Sequence, residues 1–516
     1  MKNIFTFLLV CVFSITIFSQ ENEIFPVKFT QNGFASLDYI SVKMPNDEFN
    51  NPEINMGLTG IHYNLFLNQT IYAGLGFYGS VNGKRGGLFT LGINLGIKKN
   101  LSEKLFFDGG FHLGAGGGAG APDGGGAMFL PHVNLGYQFK KISTTIGYSY
   151  INFFDKGNIT SNQFRVGIQI PLSYDYTNFK EKEKSYSVEQ LKKTKWNQKA
   201  NKYSFLLQLN NYLITGDSRD TKGNIYPNNT TIRVAGFEIA SYLKNNWLIF
   251  FKADGAFHGI DAGYMDLFIG AGYSFAFNKE KTKILTKLAI GAGGGGGLET
   301  QGGFLIQPDI SIEQKLFNTT YVSFNKGYIL TPNSFYTSST YGIGLKYYLY
   351  NQGLKKGTGK YLANTKIKGL ELHVGNELYF NAQRRIYPKQ DLHQLSLQIN
   401  LFLNKNIFLA GFTSFASFGN AGAYAEGIVG VGYQTKPILN KKVNLFTQFL
   451  AGAAGGGHIS TGQGLILKPS LGLNYKLNNK LNLRASIGKV KAHKGSLNST
   501  SINFGLNYRI GFLTAN

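Results

Sequence analysis

The histidines and a small set of charged residues are the side chains of this sequence best suited to chemistry. The eight histidines are His62, His112, His132, His258, His373, His393, His458 and His493. The charged candidates lie in stretches where apolar and polar residues alternate, and they are Asp266, Lys287, Asp309, Glu313, Glu426 and Arg484. A histidine beside a carboxylate or a serine is a common catalytic pair. An enzyme built on this chain would therefore draw on these residues.

A glycine-rich stretch occurs three times, at Gly114–Gly118, Gly291–Gly295 and Gly452–Gly456. A proline follows 17 residues after the first glycine each time, as Pro131, Pro308 and Pro469. This fixed spacing indicates three copies of one unit. A phosphate-binding loop needs a strand before it and a helix after it. Because no amphipathic helix follows here, we interpret the glycines as structural, at sites of sharp bending or close approach.

The repeat also tests the catalytic candidates. No histidine position is shared by all three copies; His132, for example, aligns with Asp309 and Ser470. We place Asp266 and Glu426 at equivalent positions, with Leu88 as their counterpart in the first copy. A histidine site present in every unit is therefore excluded, and no metal-spaced cluster is found. We predict no catalytic, cofactor-binding or metal-binding residues, although one diverged copy remains open as a catalytic unit.

The elements that position these residues are strands. Phe89–Ile97 alternates strictly between apolar residues and small or polar ones, and Tyr341–Tyr347 and Ile502–Ile510 do the same. A period of two predicts strands with unlike faces. A soluble sandwich would share this pattern. The strands, however, have about the 9–11 residues that cross a bilayer obliquely, and aromatic residues cluster near their ends as in interfacial girdles.

Links alternate between short turns and long loops. In the first copy we predict strands near residues 34–44, 56–67, 70–81, 87–98, 105–116, 129–139, 142–152 and 162–172, and the other copies repeat the pattern. This is the pattern of an up-and-down outer-membrane barrel, and it resembles the small eight-stranded barrels such as the membrane domain of outer-membrane protein A. The resemblance implies an all-β, transmembrane antiparallel architecture of three tandem eight-stranded units, with a single 24-stranded barrel as the alternative.

The predicted division of the chain follows from the repeat. The predicted units are a signal peptide at 1–19, barrel repeats at 30–176, 204–350 and 369–512, and basic periplasmic linkers at 177–203 and 351–368. Within the first linker, Val188–Lys199 is expected to form one or two helical turns. Cys11, the only cysteine, lies in the signal, so the mature chain has no thiol chemistry.

The interior positions should be mostly small, leaving room for a few charged groups. Lys287 is expected to face inward beside Asp309 and Glu313, and Arg484 to face inward in the third copy. A narrow eight-stranded barrel is filled by side chains. Such groups either form a site at the outer mouth, as in lipid-modifying barrel enzymes, or pair internally and close the lumen; we favour internal pairing.

The net charge of +24 does not indicate nucleic-acid binding in a secreted, membrane-patterned chain. Lysines in the linkers and short turns instead suggest attraction to anionic lipid or a solvated face. We predict a Gram-negative outer-membrane protein without a cofactor, acting as a structural or partner-binding scaffold. A 24-stranded pore and a lipid-modifying enzyme are the alternatives. Expected partners are outer-membrane lipids, the barrel insertion machinery, and a protein or surface ligand at the loops Gly216–Thr231 and Asn381–His393, the latter carrying Arg384 and Arg385.

Overall fold

A computed structural model of the protein describes residues 25–45, 53–227, 229–243 and 246–515. The predicted signal peptide lies outside these ranges. Within them, regular structure is almost entirely antiparallel β-sheet, as the period-two pattern predicts. No helix in the described part of the chain is long and apolar enough to cross a membrane.

The first copy contains eight strands. They are β1 (Phe29–Lys43), β2 (Asn55–Phe66), β3 (Ile71–Asn82), β4 (Phe89–Asn100), β5 (Leu105–Gly117), β6 (Met128–Gln138), β7 (Ser143–Phe153) and β8 (Thr160–Tyr176). Each strand pairs with the next, and β1 pairs with β8 over twelve residue pairs, which closes the sheet into a barrel. Closure leaves no unpaired edge.

A short segment separates the first and second copies. It consists of a 3-10 turn (Phe179–Glu181), β9 (Ser185–Tyr186) and the helix α1 (Val188–Lys192). Ser187 caps the helix by accepting a hydrogen bond from the Gln190 amide, and the Gln190 side chain accepts one from the Ser187 amide in return. This reciprocal cap explains why a helix of only five residues forms here.

The second copy contains β10 (Asn201–Thr215), β11 (Thr231–Tyr242), β12 (Trp247–His258), β13 (Met265–Phe277), β14 (Thr282–Gly294), β15 (Phe304–Phe317), β16 (Thr320–Leu330) and β17 (Thr337–Asn351). Consecutive strands pair in order. In addition, β10 pairs with β17 over fifteen residue pairs.

The third copy contains β18 (Thr365–Ala382), β19 (Gln390–Phe402), β20 (Ile407–Phe418), β21 (Ala425–Gln434), β22 (Val443–Gly455), β23 (Leu465–Lys476), β24 (Leu481–Ala492) and β25 (Asn498–Ala515). Here β18 pairs with β25 over fifteen residue pairs. Two residue pairs between β17 and β25 join the second and third copies into one continuous 17-stranded sheet that also includes β9.

Alternation along each strand separates a polar interior from an apolar exterior. In β17, Lys346 is 1% exposed and its neighbour Leu345 is 57% exposed. Phe504 on β25 is similarly exposed, at 54%, whereas the adjacent Asn503 is buried. A slip of one residue in pairing would exchange these faces. The exterior therefore presents apolar side chains to its surroundings, and the polar groups face inward.

Candidate functional site

The interior of the first barrel contains a polar network centred on Asp38. This carboxylate lies 2.7 Å from His62 Nε2 and 2.8 Å from Arg165 Nε, and it accepts a 2.9 Å hydrogen bond from Tyr78. The side-chain amide of Asn94 links the two histidines of this network: its nitrogen lies 3.2 Å from His62 Nδ1, and its oxygen lies 2.7 Å from His112 Nδ1. The sequence pattern predicts inward positions for Asn94 and His112, but it gives no sign that His62 and His112 meet through Asn94 across different strands.

A second interior group in this barrel surrounds Asp108. Tyr72 donates a 2.8 Å hydrogen bond to Asp108, and Gln169 donates another of 2.8 Å. His132 Nε2 lies 3.8 Å from the same carboxylate. The cavity among these side chains measures about 20 Å³, which is room for about one water molecule. A substrate therefore has no space beside the His62–Asp38 pair.

The second copy replaces histidines by lysine–carboxylate pairs. Glu238 accepts bonds from Lys287 at 2.8 Å and Lys346 at 3.3 Å. Lys287 also lies 3.1 Å from Asp309, and Lys346 lies 2.8 Å from Glu313. The predicted inward position of Lys287 beside Asp309 is confirmed. Glu313 is paired with Lys346 rather than with Lys287.

The third copy uses another arrangement. Lys468 bridges Glu377 at 3.0 Å and Glu426 at 2.9 Å, while Tyr379 donates a 2.6 Å bond to Glu426. Arg484 faces inward as predicted, is 1% exposed, and donates to Gln448 at 3.0 Å. Buried charges are stable only when they are paired and hydrogen-bonded. The buried lysines named in the second and third copies are thus paired with carboxylates, whereas Arg484 is hydrogen-bonded to the neutral Gln448 side chain.

The strand register corrects one predicted equivalence. Asp266 lies opposite Gly293 and Glu426 lies opposite Ala454, two residues after the first glycine of their stretches. The corresponding position in the first copy, opposite Gly116, is Thr90 and not Leu88. The prediction counted back four residues from a glycine in each copy, namely Gly270, Gly430 and Gly92. In the first copy the residue that corresponds to Gly270 and Gly430 is Asn94, so counting from Gly92 placed the match two residues too early. The first copy therefore has an uncharged hydroxyl where the others have a carboxylate.

Of the remaining histidines, His373 joins the third copy's network, because the Asn503 side chain that it contacts donates a 2.8 Å hydrogen bond to Glu377. His373 is buried in the third copy and pairs with the Asn503 side chain at 2.6 Å. His258, His393, His458 and His493 lie at or beyond the strand ends that lead into long loops.

The copies contact one another in a cyclic order. β3 of the first copy packs on β14 of the second, β12 of the second on β22 of the third, and β20 of the third on β5 of the first. Each contact, here called a seam, joins the loop after a copy's third strand to the loop after the next copy's fifth strand. Outward side chains from all three copies meet in one apolar cluster that includes Leu91, Leu267 and Phe415.

The repeated glycine stretch forms these seams. Its second residue, Ala115, Ala292 or Ala453, faces outward and is buried in every copy. A Cβ built on Gly294 would lie 2.6 Å from the Gly86 carbonyl carbon, and one built on Gly455 would lie 2.3 Å from the Gly263 nitrogen. Small residues allow two sheets to approach backbone to backbone, as they do between membrane helices. This close approach is the structural role that the sequence pattern indicated.

Backbone hydrogen bonds continue along the seams. Gly86 N donates to Gln301 O at 2.6 Å, and Gly422 N donates to Gly124 O at 3.1 Å. Asp123 lies at the latter seam, 7% exposed, and accepts a 2.7 Å bond from Gly118 N. Burial raises the pKa of Asp123 to about 7. Its carboxyl group is therefore poised to ionise near neutral pH at a contact between two copies.

The segments between copies are packed rather than extended. Trp196 is completely buried, beside Leu191, Leu354 and Leu513, and its indole donates to Pro26 O at 2.9 Å. The segment between the first and second copies also contacts the third copy, because Lys182 Nζ lies 3.6 Å from the ring centroid of Phe402 at the end of β19. Burial lowers the pKa of Lys182 to about 8. Leu513 lies beyond the predicted end of the third repeat at residue 512 and belongs to β25.

The loop after β18 carries the predicted contact residues. Arg384 stacks over Tyr387 at 4.4 Å and donates to Asn420 O at 3.0 Å, and Tyr387 contacts the His458 ring. Arg385 lies 3.8 Å from Asp261 of the second copy, across a seam. Ile386, between Arg385 and Tyr387 in the sequence, is 74% exposed. The two arginines therefore hold the loop in place, and Ile386 and Tyr387 are exposed beside them.

No protein-family model and no curated protein matches the sequence. Solved structures similar to the chain include the OccK5 porin of Pseudomonas aeruginosa (9% identity, 93% of this chain and 98% of that chain, TM-score 0.21). Others are a ferric enterobactin receptor (PfeA) mutant of Pseudomonas aeruginosa (10% identity, 92% and 80%, TM-score 0.28) and the siderophore receptor PirA of Acinetobacter baumannii (8%, 93% and 80%, TM-score 0.27). At these TM-scores the superposition carries no argument about ligand or activity.

The class of protein follows from the molecule's own surface. A closed antiparallel barrel that is apolar outside and polar inside satisfies every backbone group without water and places apolar side chains against lipid. The protein is an outer-membrane β-barrel protein. Its interior networks, seams and exposed loops are the features from which a function is to be inferred.

Proposed function

We propose that the protein is a non-enzymatic scaffold of the outer membrane, composed of three eight-stranded barrels that close separately. The observation that carries this proposal is the pairing of first and last strands within each copy: β1 with β8, β10 with β17, and β18 with β25. Each of these pairings is as continuous as those between consecutive strands. The β17–β25 contact, by comparison, involves two residue pairs.

The filled interiors support a scaffold over a channel. Lys346 and Glu238 are 1% and 0% exposed, and the cavity between His62 and Asp108 in the first barrel has room for about one water molecule. Narrow eight-stranded barrels are packed with side chains, whereas wide porins enclose water. A solute path through any one copy would have to break several buried ion pairs, each of which is costly to disrupt.

The same packing supports a non-enzymatic role. The His62–Asp38 pair resembles half of a catalytic site, but both residues are buried and their remaining contacts are Asn94, Tyr78 and Arg165. An enzyme needs space for a reacting atom within about 3 Å of its catalytic groups. We infer that these side chains stabilise the barrel.

The seams and the loop after β18 support partner binding. Seams fix the copies relative to one another, so the outer loops form a surface of defined shape. Rigid scaffolds commonly carry recognition on such loops. We propose that Ile386 and Tyr387 belong to the surface that meets a protein or other surface ligand.

A single wide pore is the second candidate. The observation that favours it is the short β17–β25 pairing, which makes one continuous sheet of the second and third copies. Conductance in planar bilayers separates the two candidates. Purified full-length protein is expected to give no stable channels, together with no hydrolysis or acyl transfer when incubated with phospholipid vesicles. Large stable channels would favour the pore, and lipid turnover lost in His62→Gln would favour the enzyme.

A further inference from the structure

Two lysines lie on the lipid-facing side of β24, near its outer end. Asn482, Arg484 and Val490 of this strand are buried, whereas Lys489 and Lys491 are exposed on the opposite face. The strand begins after the short turn at Asn478–Lys480 and runs towards the long-loop side. Lys489 and Lys491 therefore lie at the height of the outer leaflet.

The equivalent positions in the other copies are uncharged. The pairs His132–Ser149, Asp309–Gly327 and Ser470–Gly488 occupy the same place in the three copies. Counting from them, Lys489 corresponds to Tyr150 and Tyr328, and Lys491 corresponds to Asn152 and Leu330. Tyrosine is the usual residue of an interfacial aromatic belt. The third copy thus replaces a belt residue by a cation, which the barrel architecture does not require.

Three more basic groups lie on the same outer side, one in the loop that follows β24 and two on the second copy, whose strands β11 and β12 contact β22 of the third. Lys494 is in the loop after β24, and Arg233 lies opposite His258 at the outer ends of β11 and β12. The loop before β23 contacts both copies through two glycines. A Cβ built on Gly462 would lie 2.6 Å from the Lys494 carbonyl carbon of the third copy, and one built on Gly464 would lie 2.7 Å from Ala256 O of the second copy.

These cations have no acidic partner within the described part of the chain. Lys489, Lys491, Lys494 and Arg233 make no ion pair there, although most of the protein's buried lysines are paired. The acidic residue of the neighbouring loop, Asp261, faces Arg385 at 3.8 Å. A concentration of exposed positive charge creates a potential that attracts anions. The anion that resides at this height, on the lipid side of the barrel, is the phosphate of a membrane lipid.

We propose that Lys489, Lys491, Lys494, Arg233 and His258 form a binding site for the phosphorylated headgroup of an outer-leaflet lipid. The two lysines of β24 face the lipid directly and provide point charges for phosphate oxygens. Arg233 adds a planar donor suited to binding phosphate through two hydrogen bonds. Because the site includes residues of two copies, a bound lipid would bridge the seam between them.

The test uses full-length protein in detergent and native mass spectrometry with two probes: a lipid A that carries two phosphates, and the same lipid without phosphate. The test variant is Lys489→Tyr with Lys491→Asn, which installs the residues of the first copy at both positions. The control is Lys140→Asn with Lys141→Asn, which removes two lysines from a short turn at the opposite membrane face. Retention of heat-modifiable migration in gels shows that each variant is folded.

Wild-type protein and the control are expected to retain the phosphorylated lipid, and the test variant is expected to bind it about tenfold or more weakly. The dephosphorylated lipid should bind all three proteins equally weakly. Unchanged binding in the test variant would overturn the proposal, as would equal binding of the two lipids. Displacement of the lipid by millimolar inorganic phosphate would also overturn it, because the site would then be one for a small free anion.

Discussion

Replacing Gly455 by valine tests the role of the repeated glycine stretch. Gly455 is the last residue of β22, and a Cβ there would lie 2.3 Å from the Gly263 nitrogen and 2.6 Å from the Ala262 carbonyl carbon. Both atoms belong to the backbone of the second copy, so no side chain can rotate away. Overpacking of this kind costs about 1–3 kcal/mol. We expect Gly455→Val to lose stability in this range because the second and third copies are forced apart.

The matched control is Gly411→Val on β20 of the same copy. A Cβ at Gly411 meets no atom within 4 Å, so the same branched side chain is added to open space in a strand. Urea unfolding in lipid vesicles, followed by tryptophan fluorescence and by heat-modifiable migration in gels, gives the two free energies of unfolding. We expect the control to stay within about 0.5 kcal/mol of the wild type. Equal losses in the two variants, or no loss in Gly455→Val, would refute the assignment of the glycines to the seam.

Three other predictions concern the lipid face, the interior and pH. Leu95→Arg, near the middle of β4, should lower the free energy of unfolding by about 2–4 kcal/mol, and Leu105→Arg, at a strand end on the same lipid face, by about 0–1 kcal/mol in the same refolding assay; equal penalties would contradict the assigned depths in the membrane. Lys346→Met should lower the free energy of unfolding by about 3–5 kcal/mol because Glu238 and Glu313 lose a buried cation. Lys192→Met should have little effect, because it removes a surface ion pair with Glu189. The pKa of Asp123 is higher in the folded than in the unfolded protein, so the protonated carboxyl favours folding. The free energy of unfolding should therefore fall by about 1.4 kcal/mol per pH unit as the pH rises from the unfolded pKa of 3.8 to about 7. Asp123→Asn should remove that slope, and a variant that retains the wild-type slope would locate the titration elsewhere.

Much of the architecture can be predicted from the sequence because the period of two is a local property. The predicted strand at 105–116 compares with β5 at Leu105–Gly117, and the predicted strand at 142–152 with β7 at Ser143–Phe153. The inward positions of Asn94, Lys287 and Arg484 follow from the same alternation. One residue of each strand fixes the face of all the others.

The interior networks and the seams could not be predicted in the same way. The pairing of Lys346 with Glu313, and of Arg165 with Asp38, depends on how long side chains cross the barrel, which alternation does not encode. The glycine repeat marked the seams, but alternation does not show which loop of another copy lies against it, as the loop at Gly263 does. The linker at 177–203 is predicted from its position between two copies and its lysine-rich composition, neither of which indicates packing. The buried Trp196 shows that part of it packs against the rest of the protein.

The separate closure of the copies is tested most directly by a disulfide across β10 and β17. Leu209 and Ile343 are paired in the register of these strands and both face outward, and the predicted mature chain contains no cysteine. Leu209→Cys with Ile343→Cys, expressed in the outer membrane and oxidised, is expected to form an intramolecular crosslink that changes migration in denaturing gels. A single 24-stranded barrel would separate β10 from β17 by the width of a whole copy. Absence of the crosslink in folded, membrane-inserted protein would contradict the three-barrel account.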